Sequence, residues 1–428
     1  MRLAIASLAA LTLGLALTPS ALARRPSARR QAAVAGAVRS LDRGLSLGMR
    51  EAGRYSGALV VDLQTGQTLF SANARVGRLP ASVEKLYTTT TALQRFGPNA
   101  TLSTSLLGQG TMSQGTFTGT LYLRGGGDPT FGAAGFDRTN YGSGTGGTMQ
   151  QLVSALIRAT GMRALKGAVV ADETMFDSDR GTPATNNQPS LEVEGELSAL
   201  AYDRGWESAA GTLYYSHPAM QAGRQLIAAL RTAGVRIPRT TRASAGVTPP
   251  TATLLAGEPS PPIATLIALT NTPSDNYFAE TLLKDVGARF GTAGTTAAGA
   301  TVVRAQMASD FGIHPRLNDG SGLSRYDLTS PTQVVSLLRG MAGDSPFIAS
   351  LAVAGRTGTL KDEMRHTYAQ GRCMGKTGTL TDASNLVGYC HARDGHTLAF
   401  ALLMNRIYPY YAHPVQNGMV EAIAGYTG

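Results

Sequence analysis

The sequence predicts an α+β protein: an antiparallel sheet of about five strands flanked by helices, interrupted by a large β-rich insertion. Three observations carry that prediction. Two short apolar stretches around a Gln64-Thr65-Gly66 turn read as an early hairpin. Three further apolar runs close to the C-terminus, two of them joined by Asp394-Gly395, read as a meander. Helical patterns flank a Gly-, Thr- and Ser-rich stretch from 98 to 262 that differs in character from both ends of the chain. The 428 residues are 43% hydrophobic and 15% charged, against about 25% charged in an average soluble chain. This composition excludes a disordered polyelectrolyte and allows two or three cores. No three-residue glycine period or longer array occurs; the one internal echo is Arg356-Thr357-Gly358-Thr359-Leu360 against Lys376-Thr377-Gly378-Thr379-Leu380.

Taken in order, Met1-Arg2 precedes an apolar run over 3–17, and Ala21-Leu22-Ala23 has the small residues of a cleavage site. Residues 1–23 therefore read as a signal peptide, with an uncleaved anchor as the alternative. Fifteen apolar residues are short for a membrane span, and no later run is long enough. The chain is expected to be exported, to the periplasm or the outer cell envelope. The spacing predicts a helix over 32–47, strands over 57–63 and 68–70, and a helix over 81–96 that Gly97-Pro98 stops. Residues 98–262 read as an inserted accessory region of one or two small subdomains, closed by Pro249-Pro250 and Pro261-Pro262. Residues 24–97 and 263–428 then form one discontinuous catalytic domain. Its later elements are helices over 263–269 and 277–283, strands over 372–377, 386–392 and 397–404, and a final helix after Pro414. The two cysteines, Cys373 and Cys390, lie equally far from the centre of the loop between their strands. They can form a cross-strand disulfide, or remain two small buried thiols.

Three short motifs carry chemistry. In Ser82-Val83-Glu84-Lys85, residues three apart on a helix share a face, so Lys85 lies beside the Ser82 hydroxyl. A serine needs an adjacent base, and a lysine serves when burial or neighbouring cations lower its pKa. Alone, this spacing is equally satisfied by a helix cap and a solvated lysine. Ser274-Asp275-Asn276 sits at a loop-to-helix junction; its hydroxyl can relay a proton and its amide can orient a neighbour, although an ordinary cap looks the same. Lys376-Thr377-Gly378, at the end of a predicted strand, offers charge and a hydroxyl to a carboxylate, and a glycine for close approach. Thr379 follows, with a backbone N–H available to an oxyanion.

The ordered set resembles the penicillin-binding protein and serine β-lactamase superfamily, whose signature is Ser-x-x-Lys, Ser-x-Asn and Lys-Thr-Gly. Within it the chain is similar to the low-molecular-mass D-alanyl-D-alanine carboxypeptidases with a large insertion, peptidase family S13. Gly125-Gly126-Gly127-Asp128-Pro129-Thr130 and Asn318-Asp319-Gly320-Ser321-Gly322-Leu323-Ser324-Arg325 are further matches. The resemblance implies the transpeptidase-type fold and a serine D,D-carboxypeptidase, active also on cross-links as an endopeptidase. By it, Ser82 is the nucleophile, Lys85 the base, and Ser274 and Asn276 the proton relay and orienting group. Lys376, Thr377, Gly378 and Thr379 bind the substrate, and the N–H groups of Ser82 and Thr379 form the oxyanion hole. Peptidoglycan stem peptides are the implied substrates and β-lactams the implied inhibitors. No metal or cofactor is required. A non-catalytic wall-binding protein and a β-lactamase are the rival functions; the glutamate loop of class A β-lactamases is not found in its expected place.

Other patterns point nowhere. Gly142-Ser143-Gly144-Thr145-Gly146-Gly147 imitates a dinucleotide loop, but no strand precedes it. Arg356-Thr357-Gly358 lacks the lysine and reads as a turn, and so does the Gly125–Asp128 run. The six histidines have no metal spacing, and no Gly-x-Ser-x-Gly elbow occurs. No zinc-finger spacing or basic-aromatic platform indicates nucleic acid. The formal charge of +10 rests on only five lysines, at 85, 166, 284, 361 and 376, among 38 basic residues.

Overall fold

A computed structural model describes residues 28–142, 144–207 and 213–428. The expected signal segment lies outside the described residues. The chain opens with helix α1 (Ala28–Ala52), strands β1 (Gly57–Asp62) and β2 (Thr68–Ala72), a 3₁₀ turn (Ala81–Glu84) and helix α2 (Lys85–Phe96). There follow β3 (Ser103–Ser113), β4 (Thr116–Arg124), α3 (Ala134–Asn140), α4 (Met149–Thr160), β5 (Ala164–Asp172), α5 (Pro218–Thr232), β6 (Ala243–Ala245) and β7 (Thr253–Pro259). The last part holds α6 (Ile263–Asn271), α7 (Asn276–Phe290), α8 (Thr296–Phe311), α9 (Pro331–Met341), α10 (Ser345–Ala349), β8 (Ala352–Val353), β9 (Cys373–Leu380), β10 (Ala383–His391), β11 (Thr397–Asn405) and α11 (Pro409–Ala424).

The early hairpin and the late meander join in one antiparallel sheet of order β2-β1-β11-β10-β9-β8. The two-residue edge strand β8 adds a sixth strand to the expected five. β1 pairs with β11 over Gly57↔Leu403 to Asp62↔Leu398. Period-two alternation then divides the side chains between two cores. Ala58, Val60, Phe400 and Leu402 pack under α1 and α11, while Leu59, Val61, Ala399 and Ala401 pack against α2 and α6–α9. Both faces are covered, which is why β1 and β11 read as continuous apolar runs rather than as half-polar strands.

The intervening region builds a second, mixed sheet of order β6-β5-β4-β3-β7. β3–β4 and β3–β7 are antiparallel, and β4–β5 and β5–β6 are parallel. One apolar cluster, with Leu121, Val169, Leu152 and Leu226, joins this sheet to α4 and α5. The segment 173–207 leaves β5 and crosses to α7, where Lys284 bonds Asp177 at 2.5 Å and the Asp179 carbonyl at 2.7 Å.

Several sequence-based bounds shift. The helix expected over 81–96 divides at Lys85, because Ala81 takes a left-handed φ of 46° and the chain enters through a tighter turn. The Lys376-Thr377-Gly378 motif lies inside β9, not at its end. The final helix starts at Pro409, whose fixed φ and missing N–H suit a first helical position. Pro414 sits inside that helix rather than before it.

Candidate active site

The site assembles where the turn before α2, the start of α7 and strand β9 meet. A 3₁₀ helix has three residues per turn, so side chains three apart eclipse one another. That geometry stacks Lys85 on Ser82, with Nζ 2.8 Å from Oγ. Lys85 is completely buried and also donates to Asn276 Oδ1 at 2.5 Å and to the Ser321 carbonyl at 2.8 Å. Burial pulls its ammonium down to about 8, against the opposing pull of the carboxyls of Glu280 and Asp319. A lysine of this kind exists in both protonation states near neutral pH, which a general base requires.

The second motif is held by the segment that crosses from the accessory region. Ser274 has a left-handed φ of 71° in the link between α6 and α7. Asp275 caps α7 by accepting from the Phe278 N–H at 2.9 Å. Its other oxygen pairs with Arg204, whose guanidinium also donates to the Tyr141 hydroxyl at 2.7 Å. That guanidinium lies about 5 Å from the ring centroids of Tyr141, Tyr277 and Phe278. Asn276 donates its side-chain N–H to the Glu192 carbonyl at 2.6 Å and its backbone N–H to Glu194 at 3.2 Å. Both faces of the Asn276 amide are therefore fixed, one by Lys85 and one by the crossing segment.

In β9, Lys376 is completely buried and donates to Ser274 Oγ at 2.7 Å and to the Thr377 carbonyl at 2.8 Å. No carboxylate pairs with it among the described residues. Burial first, and the charge of Lys85 second, push its pKa well below the ordinary lysine value. Thr377 donates its hydroxyl to Thr359 at 2.8 Å, so the second half of the internal echo lies beside the first. A Cβ on Gly378 would come within 2.5 Å of the Pro80 carbonyl and 3.2 Å of the Ser82 nitrogen. Only glycine lets β9 lie this close to the turn that carries Ser82. Thr379 is exposed and opposes Ser384 on β10.

Sequence reasoning gave no role to several residues that hold this arrangement. Asn385 donates to the Leu79 and Pro80 carbonyls at 3.0 and 2.7 Å, and Asn405 accepts from the Leu79 N–H at 2.8 Å. Together they clamp the approach to Ser82. Glu280 accepts from the N–H groups of Gly320 and Ser321 at 3.0 and 2.8 Å, which aims the Ser321 carbonyl at Lys85. Glu84, Glu280, Asp319 and Asp327 gather behind Lys85, and burial raises all four carboxyls, Glu280 to about 8 and Asp327 to about 9. The only sequence signal for this loop was the Asn318–Arg325 match; for Arg204, Asn385 and Glu280 there was none.

The decoys have structural explanations. In the glycine-rich stretch after α3, the N–H groups of Thr145 and Gly146 already donate to the carboxylate of Asp137 at 3.1 and 2.8 Å. Gly127, at a φ of 81°, packs against Asp285 of α7, where a Cβ would lie 2.0 Å from a carboxylate oxygen. The Gly125–Asp128 run is thus a packing turn, and the Thr145 and Gly146 N–H groups are already taken by Asp137. Cys373 and Cys390 sit in register across β9 and β10 and are bonded to each other.

A two-core sheet with an inserted second sheet, and two buried lysines each bonded to its own serine, Lys85 to Ser82 and Lys376 to Ser274, defines the class of serine acyl-transfer enzymes that the motifs indicated. Residues 41–190 and 183–426 match the D-Ala-D-Ala carboxypeptidase 3 (S13) family, and the chain belongs to it. It is 29% identical to a D-alanyl-D-alanine carboxypeptidase of Actinomadura sp. (strain R39), over 88% of this chain and 82% of that protein. It is 28% identical to carboxypeptidase DacB of Mycolicibacterium smegmatis, over 85% of this chain and 78% of that one. Its fold is similar to that of penicillin-binding protein 4 from Haemophilus influenzae, with a TM-score of 0.72 at 19% identity over 89% of this chain and 97% of the other.

Proposed function

We propose that the protein is an exported serine D,D-carboxypeptidase that removes the terminal D-Ala from peptidoglycan stem peptides through an acyl-enzyme on Ser82. The carrying observation is the pairing of two buried lysines with serines: Lys85 with Ser82 at 2.8 Å and Lys376 with Ser274 at 2.7 Å. Lys376 has no anionic partner among the described residues, and a substrate's terminal carboxylate supplies one. Its arrival restores the charge on Lys376, and that charge helps keep Lys85 neutral.

Neutral Lys85 then takes the Ser82 proton as Oγ attacks the carbonyl carbon of the penultimate D-Ala. The N–H groups of Ser82 and Thr379 receive the oxyanion. A proton passes through the Ser274 hydroxyl to the leaving amine, the C–N bond breaks, and D-Ala departs. Water, activated by Lys85, hydrolyses the ester. Thr377 and Thr379 complete the carboxylate site, and the close approach of Gly378 to Ser82 supports that placement. The discontinuous catalytic domain, 24–97 and 263–428, with 98–262 as its accessory region, follows the same reading. The N-terminal apolar run supports export. Across the described residues, no helix is long and apolar enough to cross a membrane.

Two assays test this. Purified protein should release D-alanine from a D-Ala-D-Ala peptide and retain a penicillin adduct, and Ser82→Ala should lose both. A cross-linked dimer substrate measures endopeptidase action. Rapid turnover of penicillin would instead identify a β-lactamase; neither release nor adduct would leave a wall-binding protein.

A further inference from the structure

The accessory region carries a second charged feature at the end remote from Ser82. Residues 208–257 contain five arginines and no Asp or Glu. α5 and the chain that follows it bring Arg224, Arg231, Arg236, Arg239 and Arg242 around one open groove of about 1260 Å³, and the start of β5 adds Lys166. All six side chains are exposed, and none belongs to an ion pair among the described residues. Arg231 and Arg242 donate to the carbonyls of Pro238 and Arg239 at 2.9 and 2.6 Å, which holds their guanidinium groups along the rim. No acidic residue lines the groove.

Its position is set by the parallel strands. Thr116 and Ala164, at the starts of β4 and β5, line the groove. The opposite end of β4 leads into Gly125-Gly126, where the Gly126 carbonyl accepts from Arg289 of α7 at 3.2 Å. Nine residues of strand separate the two ends, about 30 Å. The groove is therefore clear of the catalytic cleft.

We propose that this groove binds a linear, phosphate-bearing polymer and so tethers the protein to an anionic strand of its surroundings. Guanidinium groups match phosphate oxygens with paired hydrogen bonds. A concave groove with cations spread along it suits a flexible chain better than a flat membrane. None of the exposed large apolar side chains lines it to anchor a bilayer. No aromatic residue lines it to stack a base, which sets it apart from single-stranded nucleic-acid sites.

Titration of the purified chain with long-chain inorganic polyphosphate tests the proposal. Binding should weaken steeply as salt rises. Replacing Arg236, Arg239 and Arg242 with alanine should weaken it about tenfold or more, with D-alanine release from a soluble peptide unchanged. Replacing the equally exposed Arg39, Arg43 and Arg50 of α1 should leave binding as in the unmodified chain. Arg236→Glu with Arg242→Glu serves as a second variant if the alanine protein is unstable by circular dichroism. The proposal is overturned if polyphosphate does not bind. It is equally overturned if the α1 variant loses as much as the groove variants, which would make the effect one of net charge. Retention by anionic vesicles or an oligonucleotide, without retention by polyphosphate, would assign the groove to a membrane or to nucleic acid instead. The readout is binding alone, so its failure leaves the catalytic reading untouched.

Discussion

The ammonium of Lys85 lies 2.8 Å from the hydroxyl of Ser82, on a 3₁₀ turn that eclipses the two side chains. Lys85 sits at about 8 because burial disfavours its charged form. A base with that value is mostly protonated at pH 7 and mostly neutral at pH 9. Penicillin acylation, followed by stopped-flow or mass spectrometry, should therefore rise through about pH 8. Lys85→Arg should lower it by about 10² to 10⁴, since arginine cannot give up its proton. A flat profile between pH 6 and 9 would remove Lys85 as the base.

Glu280 holds the loop that presents the Ser321 carbonyl to Lys85. As a carboxylate it raises the lysine's pKa. Glu280→Gln preserves an acceptor for both backbone N–H groups and removes the charge. The ascending limb of the acylation profile should then move to lower pH, with folding retained by circular dichroism. An unshifted profile would show that Glu280 is already neutral in the working enzyme.

Arg204 reaches from the segment 173–207 to Asp275; the arginine is buried and Asp275 nearly so. Removing one member of a buried pair leaves an uncompensated charge, a loss of about 3–5 kcal/mol. Arg204→Ala should lower the denaturation midpoint. It should also slow acylation, because Asp275 caps the helix that begins with Asn276. Loss of stability with acylation unchanged would separate the crossing segment from catalysis.

Gly378→Ala would place a methyl 2.5 Å from the Pro80 carbonyl, a backbone atom that cannot rotate away. Such overpacking costs about 1–3 kcal/mol, and the strand would move off Ser82. Acylation should fall more than the affinity for a carboxylate-bearing product.

Cys373 and Cys390 are 17 residues apart in sequence and bonded across adjacent strands. Thiol titration of the unfolded, unreduced protein should give zero. Replacing both with alanine should lower stability by about 2–4 kcal/mol, measured by urea denaturation. Two titratable thiols would show that the bond does not form in solution.

The three motifs were legible because each is local. A lysine three residues after a serine, or a glycine after Lys-Thr, is chemistry carried by adjacent positions. The sheet was legible because 57–61 and 398–404 are short, unbroken apolar runs bounded by turn residues, and the meander turn has its own residue signature. The start of the last helix was misjudged because Pro409 and Pro414 both offer a helix-starting residue, and the choice depends on how α11 packs against α1.

The sequence by itself determined the family, the early hairpin and late meander of the first sheet, and which residues are candidates for nucleophile, base and carboxylate site. Those follow from residue identity at short spacing. The tertiary structure alone decided how they are held. Lys85 and Asn276 stand 191 positions apart yet bond at 2.5 Å, and the burial that pulls Lys85 down to about 8 comes from elements that share no local pattern with it. The clamp from Asn385 and the Arg204–Asp275 pair are likewise products of long-range packing. A side chain's charge and reach are written locally; its desolvation and its partners are not.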